Sequence, residues 1–204
     1  MVFLCSPNNP SANLLDKAEI IRILSAFTGM VVLDEAYIDF CGSEGLLPYL
    51  EKYQNLVILR TLSKAWGLAG IRLGMALADP EVIRYMNRVK YPYNVNYLTQ
   101  TKAMEMLGSA ESREKWMKVT LEERAKLEGR LEEIGYVLKI FPSDANFLLV
   151  RVEDAEAIYA FLYERGVIVR NRSGLTHCKG CIRITVGTPD ENNRLIELMK
   201  SYPQ

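Results

Sequence analysis

The sequence predicts an α/β domain with a mostly parallel sheet, followed by a smaller α+β domain. Two observations lead to this fold class. In the first part of the chain, short continuous apolar runs alternate with segments of helical periodicity, which is typical of a parallel sheet covered by helices. Beyond about residue 134, short strand-like runs lie on either side of one predicted helix, a pattern that indicates a compact α+β unit.

The first part contains four predicted strands and one predicted helix. Val2–Cys5 is a short apolar run that is closed by the turn-forming residues SPNNP. Helical periodicity extends over Leu14–Phe27. Further apolar runs, each expected to be a strand buried on both faces, are Met30–Leu33, Leu56–Leu59 and Ile71–Leu77.

The middle of the chain is predicted to be helical, at Glu81–Lys90, Tyr97–Leu107 and Glu111–Ile134. The third of these helices is long and charged and carries one apolar stripe, so we expect it to connect two domains. We place the first domain at residues 1–108 and the second, which includes the connecting helix, at residues 109–204.

The last part predicts a helix at Ala155–Arg165, with Gly166 as a favourable residue to end it. A capping box formed by Thr188 and Glu191 begins the final helix, and Pro189 takes its first position. The predicted strands are Tyr136–Ile140, Asn146–Val150, Val167–Arg170 and Cys181–Val186.

The bulk composition excludes several classes of protein. Of the 204 residues 49% are hydrophobic, enough for a substantial core, and 25 basic residues balance 25 acidic ones. No overall field therefore favours nucleic acid, and no apolar run approaches the roughly 20 residues that span a bilayer. The first residues, MVFLCSPNNP, do not have the pattern of a signal peptide. The four cysteines are too few and scattered for a disulfide scaffold, so we expect a reducing cytoplasm.

Polar clusters follow three of the predicted strands, at Ser6–Asn9, Asp34–Tyr37 and Thr61–Lys64. In open α/β sheets, ligands bind beyond the carboxyl ends of the strands. We therefore expect these three clusters to converge on one rim of the sheet.

Lys64 lies in the glycine-containing stretch RTLSKAWGLAGIRLG, where an ordinary solvated lysine is the alternative interpretation. The hydroxyls of Thr61 and Ser63 together with Arg72 suit a phosphate group. A lysine amine that is partly desolvated or lies near another cation becomes a nucleophile. The pattern favours a lysine that forms a Schiff base with a phosphorylated aldehyde cofactor.

Asp34 and Tyr37 belong to the second cluster, VVLDEAYIDF. Asp34 directly follows a buried strand, where it could cap a turn or could pair with a ring nitrogen and keep it protonated. Tyr37 could hydrogen-bond an oxygen of the same ring. Asn9, before a proline, could end the strand in a turn or point its amide at a ligand. We interpret Glu35 and Asp39 as structural.

Six segments together resemble the fold-type I pyridoxal-phosphate aminotransferases, and within them the histidinol-phosphate aminotransferase family. These segments are SPNNPS, VVLDEAYIDF, TLSKAWGLAGIRLG, PYNVNYLTQ, ANFLLVR and CIRITVGTPDEN. The resemblance covers essentially the whole chain. It implies a partial fold-type I large domain followed by the C-terminal small domain.

The resemblance also implies a role for each candidate residue. Lys64 would bind pyridoxal phosphate covalently and move the proton of the substrate carbon, and Asp34 would pair with the pyridine nitrogen. Tyr37 and Asn9 would bind the phenolic oxygen of the cofactor. Its phosphate would be bound by Thr61, Ser63 and Arg72. Arg170 and Arg183 would bind the phosphate of the substrate, although surface ion pairs are the alternative for both.

The function implied by the resemblance is transamination between histidinol phosphate and 2-oxoglutarate or glutamate in histidine biosynthesis, by a homodimer. The alternatives are a related enzyme, such as a threonine-phosphate decarboxylase or an aromatic aminotransferase, and a catalytically incomplete chain that folds by association. The sequence begins just before Asn9 in the family pattern. We therefore expect the N-terminal part of the family to be missing and an edge of the sheet and some apolar faces to be exposed.

Two local features need separate interpretation. Ala12 replaces the usual glycine of the family, which predicts a backbone that avoids positive φ there. The stretch HCKGC, His177–Cys181, has a C-x-x-C spacing, but a zinc site would need further ligands and a redox motif should begin a helix. We favour a hairpin turn with Lys179 and Gly180 at its tip. The aromatic stretch KYPYNVNY lacks the basic surroundings of a nucleic-acid site.

Overall fold

The first sheet has the strand order β1-β2-β3-β4 in the computed structural model, which describes residues 1–203 apart from the side chain of Ala110. Its strands are β1, Val2–Cys5; β2, Val31–Asp34; β3, Leu56–Thr61; and β4, Gly74–Ala78. Strands β1 and β3 are both parallel to β2, whereas β4 is antiparallel to β3. The predicted mostly parallel sheet is therefore confirmed.

The register of the parallel strands aligns their carboxyl ends. Cys5 lies opposite Asp34, and Asp34 lies opposite Leu59. The backbone bonds continue past these pairs, because Ser6 N donates to Asp34 O and Glu35 N donates to Leu59 O, both at 2.9 Å. The segments that follow these three strands consequently leave from one rim of the sheet.

Helix α1, Lys17–Ala26, covers one face of this sheet. Its Ile20 and Leu24 pack in a cluster with the apolar residues of β2 and β3, including Leu33 and Ile58. The helix begins three residues later than predicted, because the side chain of Asp16 accepts a hydrogen bond from Ala18 N and so caps its N-terminus. Residues 14 and 15 precede that cap.

Strand β4 is shorter than the apolar run that predicted it. The run begins at Ile71, but Ala69–Ile71 forms a 3₁₀ turn and Arg72 has a left-handed backbone with φ 55°. Extended structure therefore starts only at Gly74. Three helices follow: α2, Pro80–Val89; α3, Tyr97–Leu107; and α4, Ala110–Glu132.

The second sheet is antiparallel, with the strand order β5-β6-β8-β7. Its strands are β5, Val137–Ile140; β6, Phe147–Val152; β7, Arg170–Asn171; and β8, Cys181–Thr185. Strand β7 is shorter than the predicted Val167–Arg170, because Val167 N donates to Leu162 O and completes the end of the preceding helix. Gly166 has φ 76°, as the predicted helix end requires.

One face of the second sheet packs against helices. Leu148, Val150, Ile182 and Ile184 share a core with residues of α4 and with α5, Ala155–Glu164, and α6, Pro189–Lys200. The predicted capping box of α6 is present, since the side chain of Thr188 accepts from Glu191 N and the Glu191 carboxylate accepts from Thr188 N. None of the described helices combines the length and apolarity needed to cross a bilayer.

The chain divides into two units. The first consists of Met1–Asn8 and Leu14–Trp116, and the second of Asn9–Asn13 and Met117–Gln204. The division therefore falls inside α4, and a short N-terminal segment belongs to the second unit. The predicted domain division at residues 108 and 109 stays a prediction.

Ala12, in that N-terminal segment, has φ 66°, so the expectation of a negative φ is wrong. Its side chain is fully buried, and its carbonyl oxygen accepts a hydrogen bond of 2.8 Å from Asp144 N. The buried contact and the hydrogen bond hold alanine in a conformation that glycine adopts at lower cost.

Candidate active site

Lys64 and Tyr37 lie together in the first unit. The Lys64 amine lies 5.1 Å from the centre of the Tyr37 ring, a distance at which a cation is attracted to the ring face. Tyr37 is only 7% exposed and directly precedes the 3₁₀ turn Ile38–Cys41, which follows β2. Lys64 follows β3, so adjacent strands deliver the two side chains to one place.

Asp34 is the last residue of β2 and is half-buried. Its Oδ1 accepts a hydrogen bond of 2.9 Å from Ala36 N, so this oxygen caps the turn after the strand. Its Oδ2 accepts no hydrogen bond from the residues that the structure describes, and Asp34 lines an open cleft of about 420 Å³ with Thr61 and Gly74. One oxygen is thus structural, and the other is available to a ligand.

The hydroxyl of Thr61 is used by the loop that carries Lys64. Thr61 Oγ1 donates to Leu73 O at 3.1 Å and accepts from Ser63 N at 3.0 Å. These bonds position Ser63, which is half-buried, immediately before the lysine. Arg72 is exposed, and its Nη1 donates to Ala69 O at 3.1 Å.

A buried ion pair that the sequence interpretation missed supports this rim. Glu35 is 2% exposed and accepts from Arg60 Nε at 3.1 Å and Nη2 at 2.8 Å, as well as from Leu46 N at 2.7 Å. A cationic partner for Glu35 could have been expected, because a carboxylate that directly follows a buried strand needs a cation. Arg60 is the residue after Leu59, which lies opposite Asp34.

Asp39, the other acid that we interpreted as structural, also takes part in an ion pair. Its Oδ1 lies 3.3 Å from Arg113 Nη1, and the Arg113 guanidinium lies 5.1 Å from the centre of the Trp66 ring. Both contacts are within the first unit. The structural interpretation of Glu35 and Asp39 agrees with these contacts.

The remaining candidate residues lie in the second unit. Arg183, on β8, donates from Nη1 to Asn9 Oδ1 at 2.8 Å, and its guanidinium lies 4.9 Å from the centre of the Phe147 ring. Arg170, on β7, is directly opposite Arg183 in the sheet. Two like charges at directly opposite positions repel each other unless an anion lies between them.

The segment HCKGC forms the turn that the sequence predicted. Cys181 N donates to Cys178 O at 2.9 Å, so Lys179 and Gly180 are the central residues of the turn. Burial raises the pKa of the Cys178 thiol, which disfavours the reactive thiolate. Within residues 1–203, no group of three or more His, Cys, Asp or Glu side chains could hold a metal ion.

Three features together define the class of protein. Asp34 ends one of two adjacent parallel strands, Lys64 lies in the loop after the other, and a small antiparallel sheet follows later in the chain. The chain belongs to the class I and II aminotransferases, whose family model matches residues 1–198. The fold-type I prediction is therefore confirmed.

Individual relatives share a more specific name. The chain is 52% identical over 201 residues to the histidinol-phosphate aminotransferase of Parabacteroides distasonis, covering 98% of this chain and 58% of that protein. The histidinol-phosphate aminotransferase of Clostridium acetobutylicum has the same fold, with a TM-score of 0.91 at 24% identity over 98% of this chain and 62% of that one.

A further solved structure is that of histidinol-phosphate aminotransferase from Sinorhizobium meliloti in complex with pyridoxal-5'-phosphate. It matches with a TM-score of 0.88 and 26% identity over 98% of this chain and 57% of that one. The chain thus spans somewhat more than half the length of the relatives that it matches.

Proposed function

We propose that the whole protein transfers an amino group between histidinol phosphate and 2-oxoglutarate or glutamate, with pyridoxal phosphate as cofactor. The observation that carries this proposal is the Lys64 amine at 5.1 Å from the centre of the buried Tyr37 ring, beside the strand end that bears Asp34. Family membership and the names of the relatives at 52% identity support the same reaction.

The donor set of the first unit fits pyridoxal phosphate. The open oxygen of Asp34 would accept from a protonated pyridine nitrogen, and the Tyr37 hydroxyl would donate to the phenolic oxygen. Ser63 and Arg72 would bind the phosphate, while Thr61 positions Ser63 through the hydrogen bond that it accepts from Ser63 N. When bound, the cofactor supplies an electron-withdrawing ring for the substrate carbon.

Lys64 has two tasks in this proposal. Its amine would hold the cofactor covalently in the resting enzyme. Once the amine of the substrate had displaced it, the freed Lys64 amine would act as the base that takes the proton from the substrate carbon and later gives it back. The Tyr37 ring, 5.1 Å from the amine, would limit the access of water to it. The negative charge of Asp34 favours the protonated ring that the reaction needs.

Substrate recognition is assigned to the second unit. A phosphate dianion between Arg170 and Arg183 would offset the repulsion of two cations that lie opposite each other. Asn9 Oδ1 orients the Arg183 guanidinium by accepting a hydrogen bond from its Nη1. A phosphorylated substrate is favoured for this reason.

We further propose that the protein works as a homodimer in the cytoplasm, on small-molecule substrates. The absence of a disulfide between the four cysteines suits a reducing compartment. Sedimentation equilibrium of the whole protein would contradict the dimer if the protein stayed monomeric at all concentrations tested.

The test is covalent capture. The chain is mixed with pyridoxal phosphate, reduced with borohydride, digested and mapped by mass spectrometry. We expect a pyridoxyl adduct at Lys64 that is absent from Lys64→Ala and present in the control Lys102→Ala, a lysine on α3. An adduct that survives in Lys64→Ala would show that the assignment is wrong.

The reaction itself is tested by product analysis. We expect glutamate to form from 2-oxoglutarate in equal amount to the histidinol phosphate consumed. Release of carbon dioxide from threonine phosphate would instead identify a decarboxylase. An adduct without any turnover would favour the chain as a catalytically incomplete piece of the enzyme.

A further inference from the structure

Three cations form a row on the outer face of the second sheet. Lys139 lies opposite Arg151, and Arg151 lies opposite Cys181. Arg172 N donates to Cys181 O, which extends the pairing of β7 and β8 by one residue. Because directly opposite residues point to the same face, the three side chains share the face that lies away from the helices.

The cations of this row have no anionic partner among the residues that the structure describes. Lys139, Arg151 and Arg172 form no ion pair with any carboxylate of the described chain. The Nε atoms of Arg151 and Arg172 are buried and have no hydrogen-bond partner within residues 1–203. A buried guanidinium donor without an acceptor is costly, and an oxyanion is the ligand that would satisfy it.

An aromatic ring lies beside two of the three cations. The Lys139 amine and the Arg151 guanidinium lie 4.8 and 5.4 Å from the centre of the same Phe141 ring. Phe141 packs with Leu149, Cys178 and Cys181, which form an apolar floor. Charges on such a floor are less screened than in water, so they attract an anion more strongly.

We propose that Arg151 and Arg172, with Lys139 beside them, bind a phosphate group. The row is two residues along the strands from the Arg170–Arg183 pair, roughly 7 Å at the usual rise of a strand. It is therefore a second anion site, and it does not depend on the amino-transfer reaction. Two arginine forks favour the tetrahedral, multiply charged phosphate over a single carboxylate.

The test uses inorganic phosphate as the probe. Arginine Nε–H signals of the ¹⁵N-labelled chain are followed by NMR during a titration at constant ionic strength, with chloride as the matched salt. We expect saturable shifts of the Arg151 and Arg172 signals. Arg151→Gln and Arg172→Gln should each weaken this binding about tenfold, whereas Arg165→Gln, at the end of α5, should leave it unchanged.

Two further variants keep the outcome decisive. Arg172→Lys retains the charge and the fold but loses the fork, so we expect it to weaken phosphate binding nearly as much as Arg172→Gln. The proposed site would be overturned if the Arg151 and Arg172 signals shifted linearly with phosphate concentration, or if chloride shifted them equally. Either result would show charge screening without binding. Saturation that is lost in Arg170→Gln but kept in Arg151→Gln would assign the phosphate to the substrate pair and also overturn the proposed site. Capture of pyridoxal phosphate at Lys64 is measured separately, so the two proposals fail independently.

Discussion

Glu35 accepts two hydrogen bonds from Arg60 at the base of the rim that carries the candidate catalytic residues. The side chain of Glu35 is 1% exposed and that of Arg60 is 24% exposed. The same carboxylate accepts from Leu46 N, so it also fixes the segment that follows the 3₁₀ turn after Tyr37. The Glu35–Arg60 pair thus anchors the chain on both sides of the 3₁₀ turn that follows Tyr37.

Removing the charge of Glu35 should destabilise the first unit. We expect Glu35→Gln to lower the free energy of unfolding by about 3 kcal/mol, because Arg60 would be left without its counterion. The matched control is Glu81→Gln, whose partner Arg84 is exposed, and this change should cost less than about 0.5 kcal/mol. Urea denaturation measures both. Equal losses in the two variants would contradict the role of the buried pair.

The two oxygens of Asp34 can be separated by substitution. Asp34→Asn keeps an oxygen to accept from Ala36 N but removes the charge, so the melting temperature should change little. The rate of amino transfer should fall by about 10²-fold or more, since a preorganised charge is lost. Asp34→Ala should lower both the rate of amino transfer and the melting temperature, because it also removes the acceptor for Ala36 N. A normal rate in the asparagine variant would refute the proposed pairing with the ring nitrogen.

His177 is exposed and has φ 62°, which an L-residue adopts at a cost. We expect His177→Gly to raise the free energy of unfolding by about 0.5 kcal/mol, because glycine removes this strain. Lys179→Gly, two residues on in the same turn, should have no stabilising effect, since Lys179 is not among the residues with positive φ. Thermal denaturation of the two variants compares them directly, and a destabilised His177→Gly would disprove the strain.

Glu123 should make stability depend on acid pH. The Lys126 amine and then the Asn192 amide lower the pKa of this buried carboxyl, with hydrogen bonds of 2.8 and 3.0 Å. A carboxyl with a lowered pKa in the folded state stabilises the protein above its unfolded pKa and loses that contribution as the pH falls. We therefore expect the wild type to exceed Glu123→Gln in stability at about pH 7 and to lose this advantage progressively as the pH falls below the unfolded pKa of about 4.5. A difference that stays constant over this range would exclude the effect.

The elements that local chemistry determines could be predicted from the sequence. Val2–Cys5 is a strand at the predicted bounds because an apolar run ends in a turn cluster there. The capping box of Thr188 and Glu191 likewise needs only neighbouring residues. By contrast, the apolar run from Ile71 does not reveal that the backbone of Arg72 has a left-handed conformation. It also does not reveal that β4 is antiparallel, because strand direction depends on the pairing with β3.

The candidate site shows the same division between local and distant information. Lys64, Asp34 and Tyr37 are recognisable from their own segments. The contact of Asn9 with Arg183, 174 positions apart in the sequence, is not. The partners of Thr61 and Glu35 are not recognisable either, because a hydroxyl or a carboxylate in a motif does not reveal which backbone or side-chain group it binds.

The second unit is assembled from two stretches of chain that are far apart in the sequence. Asn9–Asn13 contributes the acceptor for Asp144 N and the amide that orients Arg183. A gene fragment that starts at Met117 would omit this pentapeptide and with it both contacts. Dissection of the protein therefore calls for a design that tethers residues 9–13 to the later stretch, or for complementation in trans with a synthetic peptide.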